Sequence, residues 1–178
     1  MTKIIQNGSK ELRCKSKVVL KERFETKELN KILDNMSQAL ESQADGVALA
    51  APQIGINLRI FIISWKVFAN QDEPLTNNLS KEEIEGFKMK YEDKVFINPK
   101  IVKTSKDTRW MDEGCLSVRP FFGEVRRATK CRVRAYDKEG VVFEFGGAGL
   151  FSQIFQHEID HLDGVLFIDK ARNLREVK

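Results

Sequence analysis

Both histidines of this chain lie in one short segment, Gln156–His161. His157 and His161 lie four positions apart and enclose Glu158 in an H-E-x-x-H pattern. On an α-helix, residues i and i+4 share a face, so both imidazoles can reach one metal ion. Glu158 can then stand beside a water on that metal and move its protons. We therefore predict a metal-binding helix rather than two ordinary surface histidines.

Length and composition indicate one domain spanning residues 1–178, long enough to bury a core. Apolar residues make up 42% of the chain and charged residues 31%, which is typical of a soluble protein. No apolar run approaches the ~18 residues that a membrane span needs. The first residues also lack the apolar stretch of a secretory signal. These observations argue against a membrane protein.

The three cysteines, Cys14, Cys115 and Cys131, are few and odd in number. This usage favours a reducing compartment and a cysteine used for metal binding or chemistry rather than a disulfide. The formal net charge of +4 is mild. It would allow docking on an RNA-rich surface, but it indicates no specific nucleic-acid site.

Periodicity predicts an amphipathic helix over residues 26–43, with Thr26 as its N-cap. Its apolar stripe follows i, i+3, i+4, i+7 spacing and consists of Leu29, Ile32, Leu33, Met36 and Leu40. The β-branched and aromatic run Arg59–Ser64 predicts a buried strand. The stripe and the strand are expected to form core rather than a site.

The polar segment 65–94 contains Pro74, Asn77 and Asn78 and is predicted to be a surface excursion with a short helix near 81–87. Strand patterns return at 95–97 and 100–103. They continue in a hairpin formed by 131–136, a turn at 137–140 and 141–145.

Four residues at the start of the metal helix, 146–149, are glycine or alanine, and Asp163-Gly164 is a typical helix end. Leu150 and Ile154 share the helix face of the two histidines, so they could line the bottom of an apolar substrate pocket beside the metal. A second apolar stripe predicts that this helix is buried in the middle of the fold.

A catalytic metal needs three protein ligands and one open position, so a third ligand must lie outside the helix. A carboxylate or a cysteine could supply it, since no histidine remains. We favour Cys115, because Gly114 lets the backbone approach closely and a thiolate binds Zn²⁺ or Fe²⁺ well. Taken alone, Cys115 also fits a buried apolar cysteine. The small, apolar segment Gly46–Gly55 is equally consistent with tight packing or with a site.

Three segments together resemble the peptide deformylases: GVALAAPQ at 46–53, EGCLS at 113–117 and QHEIDHLDG at 156–164. The resemblance extends from about Ile4 to Asp169. With the patterns above, the expected fold is α+β. Antiparallel or mixed β-sheets would pack around a central metal-binding helix, with an amphipathic helix towards the N-terminus.

The resemblance implies that Cys115, His157 and His161 bind one divalent ion, typically Fe²⁺, with Zn²⁺, Ni²⁺ or Co²⁺ able to replace it. The implied reaction removes the formyl group from the N-terminal formylmethionine of nascent chains and releases formate. Glu158 would carry the proton. The side-chain amide of Gln53 and the backbone N–H of Leu116 would stabilise the oxyanion.

By the same resemblance, the substrate peptide pairs as a short added strand with Gly46–Ala48 and Gly114. Its methionine pocket would include Val47, Leu150, Ile154 and His157. The family usually has glycine where this chain has Ala48, so an added methyl group is expected where the substrate backbone runs.

Asp160 points away from the metal face, and Arg127 matches an arginine of the family. We predict an ion pair between them that ties the metal helix to the Cys115 segment, against the alternative of two solvated charges.

Two other functions fit parts of the sequence. A zincin-type metallopeptidase would need a third ligand after His161, where Asp163, Asp169 and Glu176 are the candidates. A non-catalytic, ribosome-associated metal-binding module would have no use for Glu158 or Gln53. The expected partners are N-formylmethionyl peptides and, transiently, the ribosome. The expected location is the bacterial cytoplasm, or else an organelle stroma or matrix.

Overall fold

Among the residues that the structure describes, two antiparallel β-sheets and four α-helices form an α+β fold. The computed structural model describes residues 2–72, 75 and 79–177. The helices are α1 (Lys27–Glu41), α2 (Trp65–Asp72), α3 (Lys81–Lys90) and α4 (Leu150–Leu162). The strands are β1 (Ala48–Ala50), β2 (Ile60–Ile63), β3 (Lys94–Thr104), β4 (Thr108–Gly114), β5 (Phe121–Ala128), β6 (Lys130–Tyr136), β7 (Val142–Ala148) and β8 (Arg172–Glu176).

The larger sheet has the strand order β1-β2-β3-β6-β7, and the smaller has the order β4-β5-β8. Helix α4 packs against strands of both, including β1, β6, β7 and β5. Its apolar side, with Phe151, Ile154 and Phe155, belongs to the core cluster that also contains Phe61 and Phe96. A helix held from two sides can present its remaining face to a cavity in a fixed orientation.

The predicted amphipathic helix is present as α1, and Thr26 accepts a hydrogen bond from the Leu29 backbone N–H at 3.2 Å. The predicted stripe is buried, except that Ile32 is only partly covered. Strand β2 occupies the centre of the predicted run 59–64, and all four of its residues are buried. Apolar periodicity therefore predicted these two elements well.

The predictions for 65–94 need correction. The helix near 81–87 is present as α3, but the segment also begins with α2, in which Trp65, Val67 and Ala69 are buried. The excursion is therefore partly core. The part containing Pro74, Asn77 and Asn78 lies outside the described residues.

Two further boundaries differ from the predictions. The runs 95–97 and 100–103 belong to one long strand, β3, which has register shifts against β6. The glycines that were expected to open the metal helix lie in β7, which extends to Ala148, and α4 begins at Leu150 after Gly149. Cross-strand pairing of Gly146 with Arg132 and of Gly147 with Cys131 holds them in the sheet despite their low β propensity.

Candidate metal centre and active site

Three side chains with metal-binding atoms meet where α4 faces the end of β4. One ligand atom from each of Cys115, His157 and His161 lies within 4.8 Å of the other two. Among the described residues, no other cluster of three potential metal ligands contains a histidine or a cysteine. The Cys115 Sγ and His161 Nε2 atoms are 3.2 Å apart. Helix α4 supplies the histidines from successive turns, and Cys115 directly follows the last residue of β4.

The carboxylates considered as alternative third ligands lie elsewhere. Asp163 forms an ion pair with Arg59 at 2.7 Å, and Asp169 forms one with Arg13 at 2.5 Å. Neither joins the cluster of Cys115 and the histidines. Glu176, in β8, is exposed and also lies outside that cluster.

The donor set and its surroundings fit a divalent cation. A thiolate and two imidazoles suit Zn²⁺, Fe²⁺ and related ions. Burial lowers the pKa of His161 well below its ordinary value, which favours the neutral, metal-binding form. Burial also lowers the pKa of His157, but hydrogen bonds with Cys115 and Glu113 outweigh it and leave that pKa well above the ordinary value. Neighbours that favour a proton on this imidazole also favour a cation beside it.

Glu113 is a central residue that sequence reasoning missed. It is 3% exposed, accepts hydrogen bonds from Arg127 Nε at 2.7 Å and Nη2 at 2.9 Å, and lies 3.0 Å from His157 Nδ1. Burial raises its pKa, but the hydrogen bonds from Arg127 and His157 lower it to about 2. An ionised Glu113 holds the proton of His157 on Nδ1 and leaves Nε2 free for a metal. Its position two residues before Cys115 was the available signal.

The structure brings the predicted pair Arg127 and Asp160 into contact. Arg127 Nη1 lies 2.6 Å from Asp160 Oδ2, and the Arg127 side chain is 4% exposed. Asp160 also accepts from Lys170 Nζ at 2.7 Å. Because Arg127 binds Glu113 through its other nitrogens, one guanidinium connects β5, β4 and α4. The effect of this connection on metal binding stays a prediction.

Glu158 faces the cavity beside the cluster. It is 4% exposed, and its Oε2 atom has no hydrogen-bond partner among the described residues. Burial raises its pKa to about 7, although the charge of His157 opposes this shift. A carboxyl group with a pKa near neutrality can both accept and return a proton, which suits general acid–base chemistry.

Gln53 lies in a short 3-10 turn, Ala51–Ile54, directly after β1. Its side-chain oxygen accepts from the Ala50 N–H at 2.8 Å, and its Nε2 donates to Ser117 Oγ at 3.1 Å and lies 3.5 Å from Cys115 Sγ. Both ends of the amide are thereby fixed next to the thiol. Ser117 is the partner that the sequence prediction did not include. Gln53 and Leu116 both line the cavity.

A half-open cavity of about 460 Å³ adjoins the cluster. Nearly all of the predicted substrate-binding residues line it, namely Val47, Ala48, Gly114, Leu150, Ile154 and His157. Gly46 does not line it. A Cβ at Gly46 would lie 2.8 Å from the Leu40 side chain, so this glycine permits close packing against the end of α1. The wall further includes Pro120, Phe121, Phe122 and Val177, which sequence reasoning missed.

The family model for polypeptide deformylase matches residues 1–177. A peptide deformylase of Bradyrhizobium diazoefficiens is 37% identical over 175 residues, covering 98% of this chain and 90% of the relative. The Synechococcus elongatus peptide deformylase solved with actinonin has a TM-score of 0.76 and 32% identity, covering 97% of this chain and 79% of that one. The Acinetobacter baumannii enzyme solved with Met-Ala-Ser bound has a TM-score of 0.75 and 26% identity, covering 94% and 96%.

Fold, site and similarity together define a hydrolase of the metal-dependent deformylase class. The chain belongs to the peptide deformylase family, whose activity is removal of the N-formyl group from nascent polypeptides. The metallopeptidase and the non-catalytic module are not favoured. Within the described residues, no helix combines the length and hydropathy needed to cross a bilayer.

Proposed function

We propose that Cys115, His157 and His161 hold one divalent ion. Helix α4 would then be the central metal-binding helix, and residues 1–178 would form a single catalytic domain. The observation that carries this proposal is the approach of the three ligand atoms to within 4.8 Å of one another beside a cavity. When bound, the ion would polarise the formyl carbonyl and make a water molecule more acidic. Glu113 would orient His157, and the Arg127–Asp160 pair would fix α4 against β5.

Glu158 would move the proton of the reaction. Its buried carboxylate, with one oxygen unpartnered among the described residues, would accept a proton from the attacking water and deliver it to the departing amine. The pKa of about 7 would allow both transfers near neutral pH.

Gln53 and Leu116 would stabilise the negative charge that develops on the formyl oxygen. The Gln53 amide is held by Ala50 on one side and Ser117 on the other, so little reorganisation would be needed to present an N–H to the substrate. Leu116 would contribute its backbone N–H, so its side chain could vary without removing this donor.

The substrate would be a nascent peptide with formylmethionine at its N-terminus. The solved relative with Met-Ala-Ser bound supports an N-terminal methionine at this kind of site. Val47, Leu150, Ile154 and His157 would surround the methionine, while Ala48 and Gly114 would flank the peptide backbone. Gly46 would act indirectly, by seating the chain before β1 against α1.

We propose Fe²⁺ as the native ion on the basis of the family resemblance, with Zn²⁺, Ni²⁺ or Co²⁺ as replacements, because a mixed sulfur and nitrogen donor set accepts all four. The test is formate release from a formyl-Met peptide by anaerobically purified protein loaded with each ion in turn. Cys115→Ser should lose metal and most activity, whereas Cys14→Ser and Cys131→Ser should retain both. Equal behaviour of the three variants would refute the ligand assignment.

The finer expectations about setting also remain proposals. A bacterial cytoplasm, or an organelle stroma or matrix, fits the sparse cysteines and the bacterial relatives. Transient association with the ribosome would use a basic strip on neighbouring strands β3 and β6, where Lys103 pairs with Arg132 and Lys100 with Arg134. Glu144 on β7 forms ion pairs with both arginines and offsets part of this charge. Such a strip suits RNA phosphates without reading a base sequence.

A further inference from the structure

Strand β7 is the last strand of the larger sheet, and among the described residues it pairs only with β6. The β6–β7 ladder covers all seven residues of β7 without a register shift. The strand contains no lysine and no proline, so it lacks two features that commonly protect a free edge. The opposite edge strand, β1, has only three residues, all of them buried. Strand β7 is therefore the long open edge of this sheet.

Backbone hydrogen bonds at the two ends of the ladder show which residues of β7 face the free edge. The Asp137 N–H donates to the Val141 carbonyl at 3.0 Å, and the Gly149 N–H donates to the Thr129 carbonyl at 3.2 Å. Because bonded and non-bonded pairs alternate along an antiparallel ladder, the odd-numbered residues of β7 direct their backbone groups to β6. The even-numbered residues direct theirs outward, and all four are exposed, namely Val142, Glu144, Gly146 and Ala148.

The side chains beside this edge leave one position bare and one charge incompletely paired. Gly146 pairs with Arg132 of β6, and Arg132 Nε lies 3.4 Å from the place that a Gly146 Cβ would take. Arg132 thus extends across the glycine in the direction of the edge. Its acidic neighbour Glu144 is 3.6 Å away, whereas Arg134 holds the same carboxylate at 2.7 Å. A second carboxylate arriving at the edge would be attracted to Arg132.

Charge distinguishes the registers in which a second copy of β7 could add to this edge by two-fold symmetry. Pairing Glu144 with its own copy places like charges opposite each other, which is destabilising. Pairing Gly146 with its own copy brings two Arg132 side chains together. Centring the pair on Phe145 instead places Glu144 opposite the second copy's Gly146, beside that copy's Arg132. This register also overlaps the two strands along their full length.

We propose that two copies of this chain form a two-fold dimer through antiparallel pairing of their β7 strands, centred on Phe145. The two larger sheets then become one continuous sheet, and Glu144 of each copy forms an ion pair with Arg132 of the other. No residue of β7 lines the cavity, so the pairing does not involve the active site. One strand from each copy makes a small interface, so the dimer is weak, with a Kd of about 10 to 100 µM.

Sedimentation velocity of the metal-loaded protein over about 1 to 500 µM tests the dimer, and the wild type should pass from monomer to dimer across this range. Gly146→Pro removes an outward N–H and no bond to β6, so it should raise the Kd at least about tenfold. Glu144→Lys should raise it by a similar factor. Adding Arg132→Glu to Glu144→Lys should return the Kd to within about threefold of the wild type, because the exchanged charges attract again. A wild-type melting temperature would show that each variant keeps its fold.

Glu124→Lys is the matched control, because Glu124 also pairs with an arginine of a neighbouring strand, at 3.0 Å. Its side chain is 32% exposed, against 35% for Glu144. Glu124 lies in the smaller sheet, so reversing its charge should leave the dimer intact. A wild type that stays monomeric at every concentration would overturn the proposal. A dimer that persists in Gly146→Pro and Glu144→Lys, or that is weakened equally by Glu124→Lys, would also overturn it.

Discussion

The α1 side and the α4 side of the molecule are stabilised in different ways. Around α1, the core cluster consists of apolar side chains such as Leu29, Leu33 and Met36. Around α4, most contacts are also apolar, but the C-terminal half adjoins the buried charged residues Glu113 and Arg127. Apolar packing needs only the right volume and pattern, whereas buried charges need specific partners at hydrogen-bond distance. Substitutions around α1 are therefore expected to leave the function intact, whereas substitutions of the charged residues around α4 are expected to impair it.

The largest difference should appear on replacing Glu158 with alanine. Because Glu158 is proposed to carry the proton and not to bind the metal, kcat should fall by about a hundredfold to ten-thousandfold, the usual contribution of general acid–base catalysis. Metal content, measured on the same sample, should stay near one ion per chain. Loss of the metal together with the activity would show that Glu158 is a ligand or a structural residue.

Arg127→Ala tests whether the charged network is needed as a unit. The change leaves Glu113 buried without its guanidinium, which should cost about 3 to 5 kcal/mol of unfolding free energy and weaken metal binding. Asp160→Ala should lower the unfolding free energy less. Asp160 is partly exposed, and its other partner, Lys170, is exposed to solvent, so the change leaves no unpaired buried charge on Lys170. Urea unfolding and metal titration measure the two effects.

A double-mutant cycle completes this test. The double variant of Arg127→Ala and Asp160→Ala should bind metal no worse than Arg127→Ala alone, since both residues act through one connection. Strictly additive losses, or no loss from either variant, would show that the pair does not brace the site.

Leu29→Ala tests the apolar side of the comparison. Leu29 is fully buried, so its truncation should cost about 2 to 5 kcal/mol of unfolding free energy. Unlike the Arg127 variant, the fraction that stays folded should keep the wild-type kcat and metal content. A changed kcat in the folded protein would mean that the α1 core also sets the geometry of the site.

Sequence patterns predicted the α1 side more completely than the α4 side, for a physical reason. The buried face of α1 follows from the spacing of its own residues, and so does the presence of His157 and His161 on one face of α4. Cys115 was favoured as the third ligand because of its flanking glycine and its thiolate chemistry, and the family resemblance implied the same residue. Glu113 and Ser117 were missed, because their roles depend on hydrogen bonds with Arg127, His157 and Gln53, which are distant in the sequence.

Strands β4, β5 and β8 were also missed. Several of their buried positions hold polar or small residues, namely Glu113, Gly123 and Arg127, and all five residues of β8 are exposed, so the apolar–polar alternation expected of a strand is absent. Pairing between strands far apart in the sequence stabilises them and overrides weak local preference. The cavity wall at Phe121 and Val177 depends on these strands, so it was invisible to local patterns as well.

Thr26→Ala should give the smallest effect, and it tests the N-cap of α1 against that of α3. Loss of the hydrogen bond from Leu29 to Thr26 should lower the unfolding free energy by about 1 kcal/mol, measured by urea denaturation. Ser80, which caps α3 through a similar bond with Glu83, provides the control. Since α3 has no buried residue, it can open without the core, and Ser80→Ala should change global stability less than Thr26→Ala does. Equal losses would show that α3 unfolds together with the α1 core.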